Sequence, residues 1–493
     1  MGRRRIGLGG ALALAAAAVC VFDPWAVTAA GFWLSFGAVA AIAWVVQGRP
    51  EDGKGPMSAV KTAARVQIAV TLALLPATVL LFHQVSLVSP LANSVAIPLV
   101  SWIVTPLALL GAACAALPGP LGAPADVLLA LADAVFAALV ALLKVIPAPS
   151  WAALALPAPP WPVVLLAALG IAWCLAPPGW PARWVGAVAL LPLLVWPGER
   201  PEAGALWITA LDIGQGSAVV IETREQAWLY DAGPRYSQES DAGERVVLPY
   251  LRSRGIGRLD GLIVSHLDQD HSGGAASVLR GIEVSRLISS IASGDPALGG
   301  AASERCAAGL EWTSNDLHWR ILHPQESDYR RRMSTNAMSC VVQARLGPII
   351  VLLTGDLPAR EEVALVEREA ELRADWLMVP HHGSRSSSTP ALLAAVRPTV
   401  ALAQAGYRNR FGHPSAEVLA RYAALGIPVV RTDHSGAAQW RFAPDGRIGF
   451  RPWRSIAVRY WHNRPGAGQA EVADTDEESM EEGPPGQPFF GMP

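Results

Sequence analysis

The sequence predicts a multi-domain chain: an α-helical polytopic membrane domain over 1–198, then a layered α/β domain over 203–462. Three observations carry this. From Ile6 to Pro197 charged residues are scarce and Ala, Leu, Val, Pro and Trp dominate, a composition that no water-facing surface tolerates. From about Glu199 onward the charge density becomes that of a soluble domain. In that second part short β-like runs alternate with helical ones, and several of the runs end in Asp or His. A length of 493 residues exceeds one ordinary domain, and a net charge of −2 singles out no class of partner.

In the first part, apolar windows near 6–22, 26–46, 66–83, 87–112, 123–147, 161–178 and 183–196 are candidate spans, since about 20 apolar residues cross the hydrocarbon. The opening "MGRRRIGLGGALALAAAAVC" imitates a secretory signal. It leads straight into another apolar stretch without a small-x-small cleavage site, so it reads as a retained span. Arg3, Arg4, Arg5, Arg49, Lys54, Lys61 and Arg65 gather on one side of these spans. The positive-inside rule puts that side in the cytoplasm, and about seven spans then place the second domain beyond the cytoplasmic membrane. Gln67 and Asn93 lie within apolar segments near Pro76, Pro90, Pro98 and Pro106, and are candidates for lining a water-filled path.

The five cysteines include no C-x-x-C pair, which argues against a disulfide framework or a thiolate zinc site and leaves open a single Cys306–Cys340 bridge. The last segment, 463–493, is rich in Pro, Gly, Asp and Glu and is expected to be disordered.

In the second part "LWITALDIGQG", "AVVIET" and "AWLYDAG" read as strands of a hairpin-rich sheet. "DGLIVSH" is a strand that runs into "SHLDQDHSGG", residues 265–274, where two histidines and two aspartates fall within six positions. "PIIVLLTGD" and "DWLMVPHHG" are further strands that end in ligand-type residues. His266, Asp268, Asp270 and His271 share one loop, and with Asp356 and His381 they can converge on a dinuclear metal centre. His381 is preferred to His382 because it comes directly off the strand. Ser384 and Arg385 offer donors for phosphate, and His413 is a candidate proton donor or phosphate contact.

The loop resembles the H-x-H-x-D-H signature of the metallo-β-lactamase fold, an αββα sandwich. Its variant with Asp268 at the second histidine, "HLDQDH", is similar to the ComEC family of DNA-internalisation competence proteins. "LDIGQG", "WLYDAGP", "LTGD", "VPHHGSRSS" and "RFGHPSAEVLARY" match as well. So do "FDPWAVTAAGFWLSFGAVAA" and "VSLVSPLANSVAIPLVSWIVTPLALL" in the membrane part.

The resemblance implies metal ligation by His266, Asp268, Asp270, His271, Asp356 and His381, with Asp356 as the bridge. It implies two divalent ions, Mn²⁺ or Zn²⁺. The second site is in question because Asn336, also a candidate phosphate contact, stands where the fold usually has a histidine. The function implied is DNA uptake: a membrane conduit for single-stranded DNA, coupled to a metal-dependent nuclease that hydrolyses the strand not transported, with Asp270 orienting the nucleophile. The expected partners are DNA, the lipid bilayer and other competence-machinery proteins, with self-association left open. Family members usually carry further membrane segments and a small β-barrel-type domain first, so the chain reads as N-terminally truncated. Two other readings are a membrane-anchored hydrolase of small esters or lactams and a non-catalytic DNA-binding membrane protein.

Overall fold

A computed structural model describes residues 7–46, 55–118, 122–145, 152–177, 179–369 and 371–459. The acidic tail and the basic residues Arg3, Arg4, Arg5, Arg49 and Lys54 lie outside the described residues. The chain separates into two compact units, one ending at Pro197 and the other beginning at Gly198.

In the first unit each expected apolar window holds helix, but the lengths differ. Val60–Phe82, Ser89–Ala115 and Ala125–Lys144 are long and apolar enough to cross a membrane. Leu8–Phe22, Ala30–Val46, Trp161–Cys174 and Val185–Val195 are shorter. The prolines do not break the helices as their number suggested. Pro76 sits inside Pro56–Phe82, and the chain from Ser89 to Ala115 stays helical through a π-turn at Val100–Val104, between Pro98 and Pro106. Gln67 is half-buried on the first long helix and Asn93 is exposed on the second. Two short strands, β1 (Gln84–Ser86) and β2 (Ala153–Ala155), pair antiparallel between helices.

The second unit is two sheets face to face. The first runs, in spatial order, Glu304–Arg305, Leu287–Ser289, Gly261–Val264, Ala227–Tyr230, Val219–Glu222, Leu206–Ala210, Ala438–Phe442 and Ile448–Pro452. The second runs in chain order through Glu311–Ser314, Leu317–His323, Val341–Leu346, Ile349–Leu353, Trp376–Met378, Val400–Ala403 and Val429–Arg431. Its first four strands form an antiparallel meander and the remaining pairings are parallel.

Large side chains from both inner faces fill the space between the sheets, among them Trp228, Tyr230, Trp319, Trp376 and Trp440. Each outer face is covered by helices: Leu251 and Val278 pack on the first sheet, and Leu365, Leu393 and Tyr422 on the second. Central strands such as Gly261–Val264 are buried on both faces, which is why "GLIV" does not alternate with polar residues. The result is the αββα sandwich, with strands delivering their C-terminal ends to one rim. Cys306 and Cys340 form a disulfide, which settles the point their spacing left open.

Candidate metal centre

Four segments leave the strands and meet at that rim. Asp231 follows Ala227–Tyr230, the HLDQDH loop follows Gly261–Val264, Asp356 follows Ile349–Leu353, and His381 and His382 follow Trp376–Met378. Backbone hydrogen bonds pin the loop: Ser217 N donates to Asp270 O at 3.0 Å and Ala232 N to His271 O at 2.9 Å. Gly216, at φ +136°, must be glycine here, because a Cβ would lie 2.3 Å from Asp270 O.

Asp270, His271, Asp356 and His382 bring one ligand atom each to within 4.8 Å of one another. His271 Nδ1 donates to Asp231 Oδ2 at 2.7 Å and His382 Nδ1 to Gln404 O at 2.9 Å. Since both outward nitrogens carry the hydrogen, both Nε2 lone pairs face inward. They lie 3.1 Å apart, and His271 Nε2 is 3.0 Å from Asp356 Oδ1, a buried oxygen that no hydrogen bond satisfies. Lone pairs forced together in this way repel unless a cation sits among them. Two imidazoles and two carboxylates suit a divalent ion, and a carboxylate behind a ligating histidine is the usual orienting device.

The metal-free chain answers with protons. Burial pulls the His271 and His382 pKa values down, but Asp356, with Asp231 and Asp270, raises both above the usual 6.5, His271 by far the more. Burial likewise opposes ionisation of Asp270 and Asp356. Yet His382 and His271 hold Asp270 at about 2, and His271 and His382 keep Asp356 well below the carboxylate range.

The remaining candidates form a looser group beside this one. His266 is fully buried, with Nδ1 2.9 Å from Ser265 Oγ, and its Nε2 has no hydrogen-bond partner. Asp268 Oδ2 lies 3.7 Å from that Nε2 and the Asp268 side chain is 38% exposed. His381 Nε2 is 3.6 Å from Asp356 Oδ2 and 3.3 Å from Asn336 Nδ2.

The sequence preferred His381 to His382; in the structure His382 stands inside the buried group and His381 on its rim. The reason is backbone conformation. After Val379 the chain leaves the strand and both histidines take left-handed φ, +51° and +53°, at a cost of about 1–3 kcal/mol each. This tight turn carries the second ring inward. Gly383 follows, where a Cβ would lie 2.5 Å from Pro414 Cβ.

His413 is half-buried, its ring 5.8 Å from that of His381 and 6.4 Å from that of His382. Burial and these two neighbours push its pKa down, which favours a neutral hydrogen-bonding ring over an acid. Ser384 is half-buried and its hydroxyl lies 3.1 Å from that of Ser386, while Arg385 is exposed. Sequence reasoning missed Asp231, Gln404 and Ser265. The only signal for Asp231 was its place at a strand end in "WLYDAGP".

Comparison with known proteins adds to this geometry. Residues 1–181 match the family model described as Competence protein, and residues 211–294 match the Metallo-beta-lactamase superfamily. "Competence protein ComA" of Neisseria gonorrhoeae is 36% identical over 457 residues, spanning 92% of this chain and 61% of that protein. "Uncharacterized protein YcaI" of Escherichia coli strain K12 is 33% identical, spanning 90% and 56%. "ComE operon protein 3" of Bacillus subtilis strain 168 is 32% identical over 257 residues, 48% of this chain and 33% of that protein. The chain thus spans about 60% or less of the length of these relatives.

Proposed function

We propose that this chain, whose two domains are those of the ComEC family of competence proteins, works in DNA uptake, with a metal-dependent phosphodiesterase in its second unit. The observation that carries the hydrolase reading is the convergence of His271 Nε2, His382 Nε2, Asp270 and Asp356 with both imidazole tautomers set from outside. Those four residues would hold one divalent ion, and His266, Asp268 and His381, sharing Asp356, a second.

When bound, such ions acidify water and neutralise charge on a phosphoryl oxygen. The chain's own residues do the rest. Asp231 and the Gln404 carbonyl hold the two rings in register. Asp270, ionised and 31% exposed, faces the opening and orients the attacking water. His413, Asn336 and Ser384 line the approach as hydrogen-bond donors to phosphate, and Arg385 supplies charge from the surface.

The first unit anchors the protein in the cytoplasmic membrane and contributes to the path of single-stranded DNA, with Gln67 and Asn93 as lining candidates. The second unit lies on the outer side. The basic residues of the early loops and the Cys306–Cys340 disulfide both favour that orientation, since disulfides persist in oxidising compartments.

Full-length protein in lipid nanodiscs is expected to degrade DNA with Mn²⁺, and Asp270→Ala to abolish this. Undiminished cleavage by the variant would sink the site. Hydrolysis of lactams or small esters without hydrolysis of DNA would sink the substrate class.

A further inference from the structure

The hairpin that joins Leu206–Ala210 to Val219–Glu222 belongs to the first sheet, and Gln404 follows directly on Val400–Ala403 of the second. The Gln404 side chain crosses from one sheet to the other. It is 1% exposed, and its amide is used to capacity. Nε2 donates to Leu211 O and Ala218 O, both at 3.1 Å, and Oε1 accepts from Ser217 Oγ and Ala218 N, both at 3.2 Å. Packing alone does not call for this. Ala403 and Ala405 on either side are fully buried, and an apolar side chain between them would join the sheets with no polar group to satisfy. What a saturated amide adds is a fixed separation, because each of its bonds tolerates only a narrow range of distance and angle.

That separation matters at the buried group. Asp270 comes from the loop after Gly261–Val264, in the first sheet, and His382 from the turn after Trp376–Met378, in the second. His382 Nε2 lies 3.3 Å from Asp270 Oδ2. Both residues are tied to the same hairpin. Ser217 N donates to Asp270 O, and His382 Nδ1 donates to the carbonyl of the residue whose side chain grips Ser217 and Ala218. Neighbouring bonds keep that carbonyl from swinging. Ala405 N donates to Thr432 Oγ1, Thr432 Oγ1 donates to Ala405 O, and Gly406 N donates to Gln215 Oε1.

We propose that Gln404 is a positioning residue for the metal centre: its side chain locks its own carbonyl, on which His382 rests, to the hairpin that holds Asp270, and so sets the separation of these two ligands. The inference rests on the metal-centre reading and concerns how ligands from opposite sheets are kept at one spacing. Gln404 meets no reacting atom and acts through His382.

The test is Gln404→Met in the full-length protein in lipid nanodiscs. Methionine keeps the length of the side chain, removes all four bonds and leaves in place the backbone carbonyl that His382 uses. Any change at His382 therefore passes through the clamp. Affinity for Zn²⁺, read by competition with a chelating dye, should fall about 10–100-fold, the usual range when a partner behind a ligand is lost. Ser217→Ala, which takes away one of the four bonds, should move it the same way by less. Tyr250→Phe is the control, since its hydroxyl bonds Thr209 and the buried Glu222 and no residue of the centre. That variant should lower the melting temperature and leave the Zn²⁺ affinity unchanged.

A second readout needs no metal. With chelator present, diethyl pyrocarbonate acylates accessible imidazoles, and His381 serves as the internal reference for its neighbour His382. The side chains are 23% and 2% exposed, and the ratio of His382 to His381 labelling should rise severalfold in Gln404→Met.

A Zn²⁺ affinity of Gln404→Met equal to that of the unaltered protein, or a loss matched by Tyr250→Phe, overturns the proposal. If the unaltered protein retains no Zn²⁺, the metal-centre reading fails and the labelling ratio decides alone. A raised ratio then leaves Gln404 as the residue that positions His382, and an unchanged ratio overturns that as well.

Discussion

The buried group and the looser group beside it meet at Asp356 but are built differently. In one half, His271 and His382 are buried, their outer nitrogens are committed to Asp231 and Gln404, and their inner nitrogens lie 3.1 Å apart. In the other, His266 and Asp268 stand 3.7 Å apart, Asp268 is 38% exposed, and His381 turns to Asn336. The difference teaches that affinity depends on more than the donor list. A preorganised group has already met the cost of ordering and desolvation during folding, whereas an exposed one meets it on binding.

The largest expected effect separates the halves directly. His382→Ala should remove one equivalent of bound metal and take hydrolysis to background, while His381→Ala keeps the metal of the buried half. Metal analysis after gel filtration reads this, and equal losses in the two variants would break the comparison.

Asp231→Asn tests whether orientation matters as well as ligation. The amide keeps the shape but loses the charge behind His271, so metal affinity should fall about 10–100-fold by competition with a chelating dye. An unchanged affinity would make Asp231 a bystander.

The smallest effect is in pH. In the metal-free chain His271 and His382 have pKa values raised above 6.5. Their protonated pair therefore contributes stability that is complete below about pH 6.5 and lost as pH rises through the raised values. Bound metal supplies the positive charge instead, so the melting-temperature gap between loaded and metal-free protein should widen with rising pH. A gap that narrows would show that protons and metal do not compete for these nitrogens.

Much of this was legible beforehand for a physical reason. Strands buried on both faces must be continuous apolar runs, and "GLIV", "IIVLL" and "WLM" are such runs, each followed by ligand-type residues that only a converging rim explains. The meander of Glu311–Ser314, Leu317–His323 and Val341–Leu346 was not picked out, because its strands carry Arg, Gln, His and Glu on partly exposed faces and lack a clean period. Likewise Pro98 and Pro106 signalled breaks, whereas the chain stays helical past both, with a π-turn between them.

By itself the sequence determined which residue types are available: a membrane-compatible first half, a disulfide-capable pair, and histidines and aspartates at strand ends. Composition, periodicity and spacing act along the chain, so they can be read along it. Only the tertiary structure decided which of the adjacent His381 and His382 stands inside the buried group and which on its rim, because that depends on two left-handed backbone conformations. It also decided that Asp231, 40 residues before His271 in the chain, stands behind it in space. Contacts between distant segments follow from how the two sheets close, and no local pattern encodes that closure.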